Sequence, residues 1–434
     1  MQIKGEMMGK LAIKAKFIYY NNKLHQDKYL LVNNNVIEGI TETLTDKTYE
    51  ILERGNSGVF PAFINSHTHL PMSYFRGLAD DLPLKNWLEE HIWPAESKML
   101  DEHFVYDATI LAAAEMIRSG TVCANDMYFF SKSIGRALSD VGLRGVVGGG
   151  VLDFPTKFAK NSDDYLKRIE DLIEEFKSDE LIKISVCPHA PYTVSPENYR
   201  KCIDFSIRHK IQIHTHLAET KWEVDEIIKR YGKSPVKLFD EIGLLDANTI
   251  FAHVIWIDDE EIEILGSKKA NIAACVKSNL KLASGFIKAN KLKEAGANLT
   301  IATDGNASNN SLNMFEEMSY FAKLQKGLNL DPTVMNAEEV FNMATKNAAK
   351  ALNLDKCGEL KKGNYADFMI ISFDDINMLP VYNPVSHLVY TAEPSNVTDV
   401  FVNGKCLMKN REFVTIDIKE VKEKAKYWNK KIRS

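Results

Sequence analysis

The apolar run Val59-Phe60-Pro61-Ala62-Phe63-Ile64 is followed almost at once by His67-Thr68-His69. Residues i and i+2 of a strand share a face, so a strand ending here presents two imidazoles to one side, close enough to grip a single cation. Imidazoles and carboxylates recur after later β-like runs. His189 follows residues 182–186, His216 with Glu219 three residues on follows 211–215, His253 follows 249–252, and Asp304 follows 298–302. These ligand types suit zinc, and also iron or manganese, and leave a coordination position for water. His214-Thr215-His216 repeats the one-residue gap, but His214 lies one layer further from the strand end. There a hydrogen-bonded structural role is expected rather than ligation.

Such residues converge only if the strands are parallel and closed into a ring. Eight β-like runs are legible: the run ahead of His67, then 120–124, 143–147, 182–186, 211–215, 249–252, 270–274 and 298–302. Helical patterns lie between them, as in 162–176, where Tyr165, Leu166, Ile169, Leu172 and Ile173 recur at three and four residues. The alternation predicts an α/β fold, a (β/α)8 TIM barrel over residues 60–356, with its site at the C-terminal ends of the strands. The chain ends read differently. Runs at 11–20 and 29–32, and at 366–372 and 397–405 with a turn between Val402 and Lys405, predict that residues 1–59 and 357–434 form one composite β-sandwich domain.

With 54 basic and 59 acidic side chains among 434 residues, and no basic stripe interleaved with aromatics, nucleic acid is not expected as a partner. The six cysteines have no short paired spacing, which argues against a disulfide framework or thiolate cluster and for reduced thiols. Met1-Gln2-Ile3-Lys4-Gly5-Glu6 does not begin a leader's apolar core, and no stretch approaches the roughly 20 apolar residues of a membrane span. A cytoplasmic protein, not bound to membrane, is the expectation; a homo-oligomer is left open. The polar cluster Ser308-Asn309-Asn310-Ser311 is read as capping the next helix through Asn310 or Ser311, with Glu316 and Glu317 in its early turns. The charge run from Lys419 to Lys431 is read as a solvated helix face.

Residues 61–96, His189-Ala190-Pro191-Tyr192-Thr193, His216-Leu217-Ala218-Glu219-Thr220 and Thr303-Asp304-Gly305-Asn306-Ala307-Ser308-Asn309-Asn310 resemble the amidohydrolase superfamily, and within it the group acting on methylthioadenosine and S-adenosylhomocysteine. The resemblance covers nearly the whole chain. It implies that His67, His69, His216 and Asp304 hold one divalent metal, zinc first and Fe2+ or Mn2+ also compatible. It also implies that Glu219, His253 and Asp304 handle protons and water, and that Glu96, His189, Glu219 and Asp304 contact a purine nucleoside. Trp87 is a further candidate contact, alongside the plain packing that aromatics at this spacing usually do. The implied reaction is hydrolytic deamination of an adenosine-like nucleoside to the inosine analogue and ammonia. A related hydrolase of a free base or triazine ring, of guanine deaminase or chlorohydrolase type, is the alternative. Binuclear relatives carry a carboxylated lysine after the fourth strand, and residues 186–190 have none, which favours one metal. Relatives that accept S-adenosylhomocysteine carry an arginine just after the third strand, where this chain has Gly149. Methylthioadenosine, deoxyadenosine or adenosine is therefore expected ahead of S-adenosylhomocysteine.

Overall fold

A computed structural model describes residues 9–434; Met1 to Glu6, on which the expectation about a leader rests, lie outside the described residues. The N-terminal end supplies β1 (Lys10–Tyr20), β2 (Lys23–Asn33), β3 (Val36–Thr41), β4 (Glu50–Glu53) and β5 (Ser57–Pro61). Then follow β6 (Phe63–Thr68), β7 (Thr121–Tyr128), β8 (Arg144–Val151), β9 (Ile182–Pro188), β10 (Gln212–Leu217), β11 (Thr249–His253), β12 (Asn271–Ala274) and β13 (Asn298–Ile301). The C-terminal end adds β14 (Phe368–Ser372), β15 (Val397–Val402), β16 (Lys405–Lys409) and β17 (Glu412–Phe413).

Strands β6 to β13 lie in chain order and pair in parallel, one for each of the eight runs read from the sequence. The ring is completed between β13 and β6 largely by a side chain. Asn65 donates to the Thr303 hydroxyl at 2.7 Å and accepts the Thr303 N–H at 3.0 Å, and the Asp304 N–H reaches the His67 carbonyl at 3.0 Å. First and last strand ends are thereby fixed beside each other, which is what brings His67 to Asp304. The outer helices bury one stripe each. In Ser162–Phe176, capped by Asn161, the stripe is Tyr165, Ile169, Leu172 and Phe176. A Cβ on Gly149 would collide with the Ile169 side chain, so this glycine lets the helix approach the barrel and faces away from its mouth. The neighbouring Gly150 faces the cavity instead.

The two chain ends share one mixed nine-stranded sheet, joined where β14 pairs with β5. Its core mixes Leu11, Ile13, Leu30 and Val59 with Phe368, Ile370 and Phe401. The chain crosses between domains at Ala62 rather than at 59/60, because Phe60 and Pro61 still pair with Met369 and Phe368. The final helix, Ile418–Arg433, leaves the sheet and lies on the barrel, although the sequence pattern places residues up to 434 in the composite domain. Trp428 donates to Asp107 at 2.9 Å and packs on Phe104, so the lysine-rich run is the outer face of a docked helix. The helix Met314–Asn329 is capped by Asn313, whose side chain accepts the Phe315 N–H. Neither Asn310 nor Ser311, the two expected caps, holds that position; Asn310 instead ends the short helix Asn306–Asn309 at φ 70°.

Candidate active site

Each of three imidazoles uses Nδ1 for support and aims Nε2 at a common point. His69 Nδ1 meets the Met127 carbonyl at 2.6 Å, His216 Nδ1 the His189 carbonyl at 2.7 Å, and His67 Nδ1 the His214 Nε2 at 2.7 Å. Facing inward, Asp304 Oδ1 lies 3.4 Å from His67 Nε2 and 3.2 Å from His69 Nε2, and the Nε2 atoms of His69 and His216 are 3.4 Å apart. Ligand atoms about 2.0–2.1 Å from a tetrahedral zinc stand roughly 3.4 Å from one another, so these three separations match those around a four-coordinate cation. His67 Nε2 is fully buried and makes no hydrogen bond, which is otherwise costly for a polar atom. The residues present therefore fit such a cation. His214 is where the sequence places it, one layer below, touching His67.

Burial holds His67 at about 4 and His189 at about 3, and pushes His216 and His214 well down, toward the neutral form that has a lone pair to give. At His69 burial acts the same way but is outweighed by Asp304 and the Met127 carbonyl, which raise it to about 9. Asp304 is itself pinned from behind. Ser278 and Ser308 donate to Oδ2 at 2.6 and 2.9 Å, and the Gly305 N–H to Oδ1 at 2.7 Å.

Beside this cluster Glu219 Oε2 stands 3.7 Å from His253 Nε2. Burial raises the Glu219 carboxyl above the ordinary range, against the pull of His253 and a hydrogen bond from Ser284. His253 Nδ1 accepts from Asn279 at 2.9 Å, which leaves its proton on Nε2, facing Glu219. The loops carrying these residues are strained: Ala218, His253, Val254 and Asp304 all have φ between 50° and 74°, a region non-glycine residues seldom occupy.

The cluster forms the floor of a cavity of about 290 Å³ whose wall includes Glu96, Trp87, His189, Tyr128 and Phe129. Glu96 is almost fully buried in the helix Trp93–Met99, accepts from the Tyr128 hydroxyl at 2.5 Å, and is raised by burial to about 7. Trp87 is buried, with its indole donating to the Ala79 carbonyl at 3.1 Å. His189 contacts the Thr193 hydroxyl through Nδ1 at 2.8 Å. All the candidate residues named from the sequence thus meet in or beneath one cavity. Those that sequence reasoning misses support them: Ser278, Asn279, Ser284 and Ser308 behind Asp304, His253 and Glu219, Tyr128 behind Glu96, and Glu223 behind the Glu219 loop. Tyr128 is within reach of sequence reading, since it ends β7; the apolar pattern alone stops that strand at residue 124. The six cysteines are buried and free, and Cys275 lies within 4.8 Å of ring nitrogens of His67 and His253.

The chain is similar to known proteins along almost its whole length. The chain is 42% identical to a 5-methylthioadenosine/S-adenosylhomocysteine deaminase of Thermodesulfovibrio yellowstonii, over 98% of this chain and 100% of that one. It is 41% identical to a 5'-deoxyadenosine deaminase of Methanocaldococcus jannaschii, over 97% and 100%. The crystal structure of an adenosine deaminase from Xanthomonas campestris with bound zinc superposes with a TM-score of 0.94 at 34% identity, covering 98% of this chain and 99% of that one. The sequence model of the amidohydrolase family matches residues 59–407, and the chain belongs to that family.

Proposed function

We propose that the protein is a metal-dependent hydrolytic deaminase of adenosine-like nucleosides, yielding the inosine analogue and ammonia. The observation that carries this reading is the set of His67, His69, His216 and Asp304 facing one another, beside Glu219 and His253, at the floor of the cavity that Glu96 also lines. Relatives bearing deaminase names along essentially the full chain support it. Those four residues would hold a single divalent cation, zinc being the best match to three imidazoles and a carboxylate. When bound, it supplies the Lewis acidity that makes water a competent nucleophile near neutral pH.

The chain's own residues supply the proton traffic. Glu219, raised by burial, takes a proton from the attacking water and delivers it to the ring nitrogen next to the amino-bearing carbon. That carbon gains a C–O bond; the remaining proton of the added hydroxyl passes through Asp304 and Glu219 to the amino nitrogen, the C–N bond breaks, and the nitrogen leaves as ammonia as the ring carbonyl forms. His253 donates from Nε2 to the oxygen that develops charge, and Asp304 serves only as a relay, ending the cycle unprotonated. Across the cavity the free oxygen of Glu96 accepts from the ribose hydroxyls while Tyr128 fixes the other. His189 contacts the purine edge, and Trp87 covers the apolar flank.

Phe129, Phe130, Leu152 and Phe158 give the cavity an apolar side, suited to a small or apolar 5' group. Among the described residues lining this cavity the only lysine or arginine is Lys157, and its ammonium is engaged with the Lys98 carbonyl at 3.1 Å. An amino-acid carboxylate finds no guanidinium here, so methylthioadenosine, deoxyadenosine and adenosine rank above S-adenosylhomocysteine. An ammonia-release panel with zinc-loaded protein, covering these four nucleosides, guanine and cytosine, is the test. Turnover of the nucleosides with apolar or small 5' groups is the expected result. Ammonia from guanine alone, or nucleoside activity untouched by Glu96→Ala, would overturn the reading.

A further inference from the structure

We infer that Glu223 is a positioning residue, whose carboxylate holds the Ala218–Glu219 peptide in the turn that sets Glu219 against His253. The inference rests on the deaminase reading above, in which Glu219 carries the proton. Glu223 occupies the first turn of the helix Lys221–Tyr231, which Thr220 caps. Its side chain reaches past that cap. One oxygen accepts the Ala218 N–H at 2.8 Å and the other the Glu219 N–H at 3.0 Å, and the residue is 1% exposed. Both amides belong to the segment where Ala218 is left-handed, at φ 50°.

The Ala218 carbonyl, on the other side of that segment, accepts from the N–H groups of Ile255 and Trp256 at 3.0 and 2.9 Å, and the Leu217 carbonyl accepts from Val254 at 2.9 Å. The loop after β10 and the loop after β11 are thus stapled together through the backbone, and the staple lies between Glu219 and His253. Glu223 grips this unit from behind, so a shift at Glu223 moves Glu219 relative to His253 without any direct contact with substrate.

Glu261, at the corresponding position of the helix Asp259–Ser267, offers an internal contrast. It accepts the N–H of its own cap Asp258 at 2.7 Å and closes an ordinary capping box. Glu223 also reaches the backbone N–H of its own cap, Thr220, but goes beyond it to the Ala218 and Glu219 amides, close to a second carboxyl, Glu219; burial first, and then that neighbour's charge, push Glu223 up to about 8. Local capping alone does not require that cost; fixing the two preceding amides does.

The test compares Glu223→Gln with Glu261→Gln in zinc-loaded full-length protein. A glutamine keeps the volume of Glu223 but turns one acceptor into a donor that faces an N–H. The expected result is a fall in kcat of roughly 10- to 100-fold, with KM within about threefold and zinc content unchanged. Glu261→Gln lowers thermal stability comparably and leaves kcat within about twofold. Amide hydrogen exchange across residues 217–220 quickens in Glu223→Gln only. A kcat within about twofold of the parent, a loss that tracks zinc content, or unchanged exchange in 217–220 overturns the inference. Should the glutamine variant not fold, Glu223→Asp, one methylene shorter, is read by the same outcomes. If the parent releases ammonia from no nucleoside, the deaminase reading falls, while the exchange data still decide whether Glu223 holds this turn.

Discussion

Two buried polar clusters sit at opposite ends of the barrel and are built on opposite rules. At the N-terminal end Arg144, the first residue of β8, donates to Asp367 at 2.6 and 3.2 Å and to Asn403 at 3.2 Å, stacks on Tyr365, and sees the Asn403 N–H reach the same carboxylate at 2.7 Å. Burial works against the guanidinium, yet Asp367 holds it more firmly charged than usual. This is the bolt between barrel and sheet domain, and its groups satisfy one another. At the C-terminal end the imidazole Nε2 atoms converge on a common point, His67 Nε2 without any hydrogen bond, and residues carrying the site sit in left-handed backbone. A closed network stabilises; an open one, supported from behind and unsatisfied in front, is arranged for something that must arrive.

The sharpest way to break this contrast is to alter one residue at each end. Glu219→Gln should keep fold and zinc while kcat falls about 10²- to 10⁴-fold, the usual span of positioned acid-base catalysis; a rate within tenfold of the parent would remove Glu219 from the proton path. Asp367→Ala should do the reverse. It strands a buried guanidinium, at a cost of about 3–5 kcal/mol in a chemical denaturation series, with kcat per folded molecule unchanged. If Asp367→Ala instead abolished turnover in the folded fraction, the two ends could not be the separate devices described.

Those two ends are not equally legible in the amino-acid sequence. All eight barrel strands are readable because parallel strands covered on both faces are apolar runs, and the candidate ligand residues follow because each stands at the end of such a run. The support behind them is not. Tyr128 escapes because Asn125 and Asp126 interrupt the apolar pattern of β7: both are buried, Asn125 donating to the Ser66 carbonyl and Asp126 accepting the Leu70 N–H. Ser278 and Asn279 lie beyond the strand end on a short helix, where spacing gives no sign of direction. Arg144 opens β8 and its partner Asp367 is 223 residues away, too far for sequence spacing to pair them. Gly149 reads as the place where a recognising arginine is missing, but its side-chain direction runs into Ile169, a fact that needs the helix layer in place.

A smaller effect probes the step between the open cluster and its support. His214 meets His67 Nδ1 and fixes which nitrogen of that ring is left for a cation. His214→Leu should weaken zinc binding about 10- to 100-fold in a chelator competition, and His214→Asn, which keeps an acceptor, should lose less. Equal affinity in the parent and the leucine variant would reduce His214 to packing.

The smallest effect compares two buried carboxyls directly. Asp367 has a guanidinium; Glu317, at the site end, is held by amides, from the Asn309 side chain at 2.5 Å and the Lys277 N–H at 3.3 Å, since the Lys277 ammonium turns to Ser311 and Glu316. Burial therefore dominates and raises Glu317 to about 8. In the unfolded chain the same group ionises near 4.3. Between those values the folded state keeps a proton that the unfolded state has released, so the contribution to stability is whole below about pH 4 and drains away as pH rises through 8. Glu317→Gln keeps the acceptor and removes the titration. Its unfolding free energy should approach the parent's in acid, exceed it progressively from about pH 5 to 8, and level off above that. The gap should reach about 1 kcal/mol or more at the upper end, since a tenfold difference in proton affinity between folded and unfolded chains is worth about 1.4 kcal/mol. A difference that stays flat across that range would mean Glu317 ionises freely in the fold, and that an array of amides compensates a buried carboxylate as well as the guanidinium does at the far end.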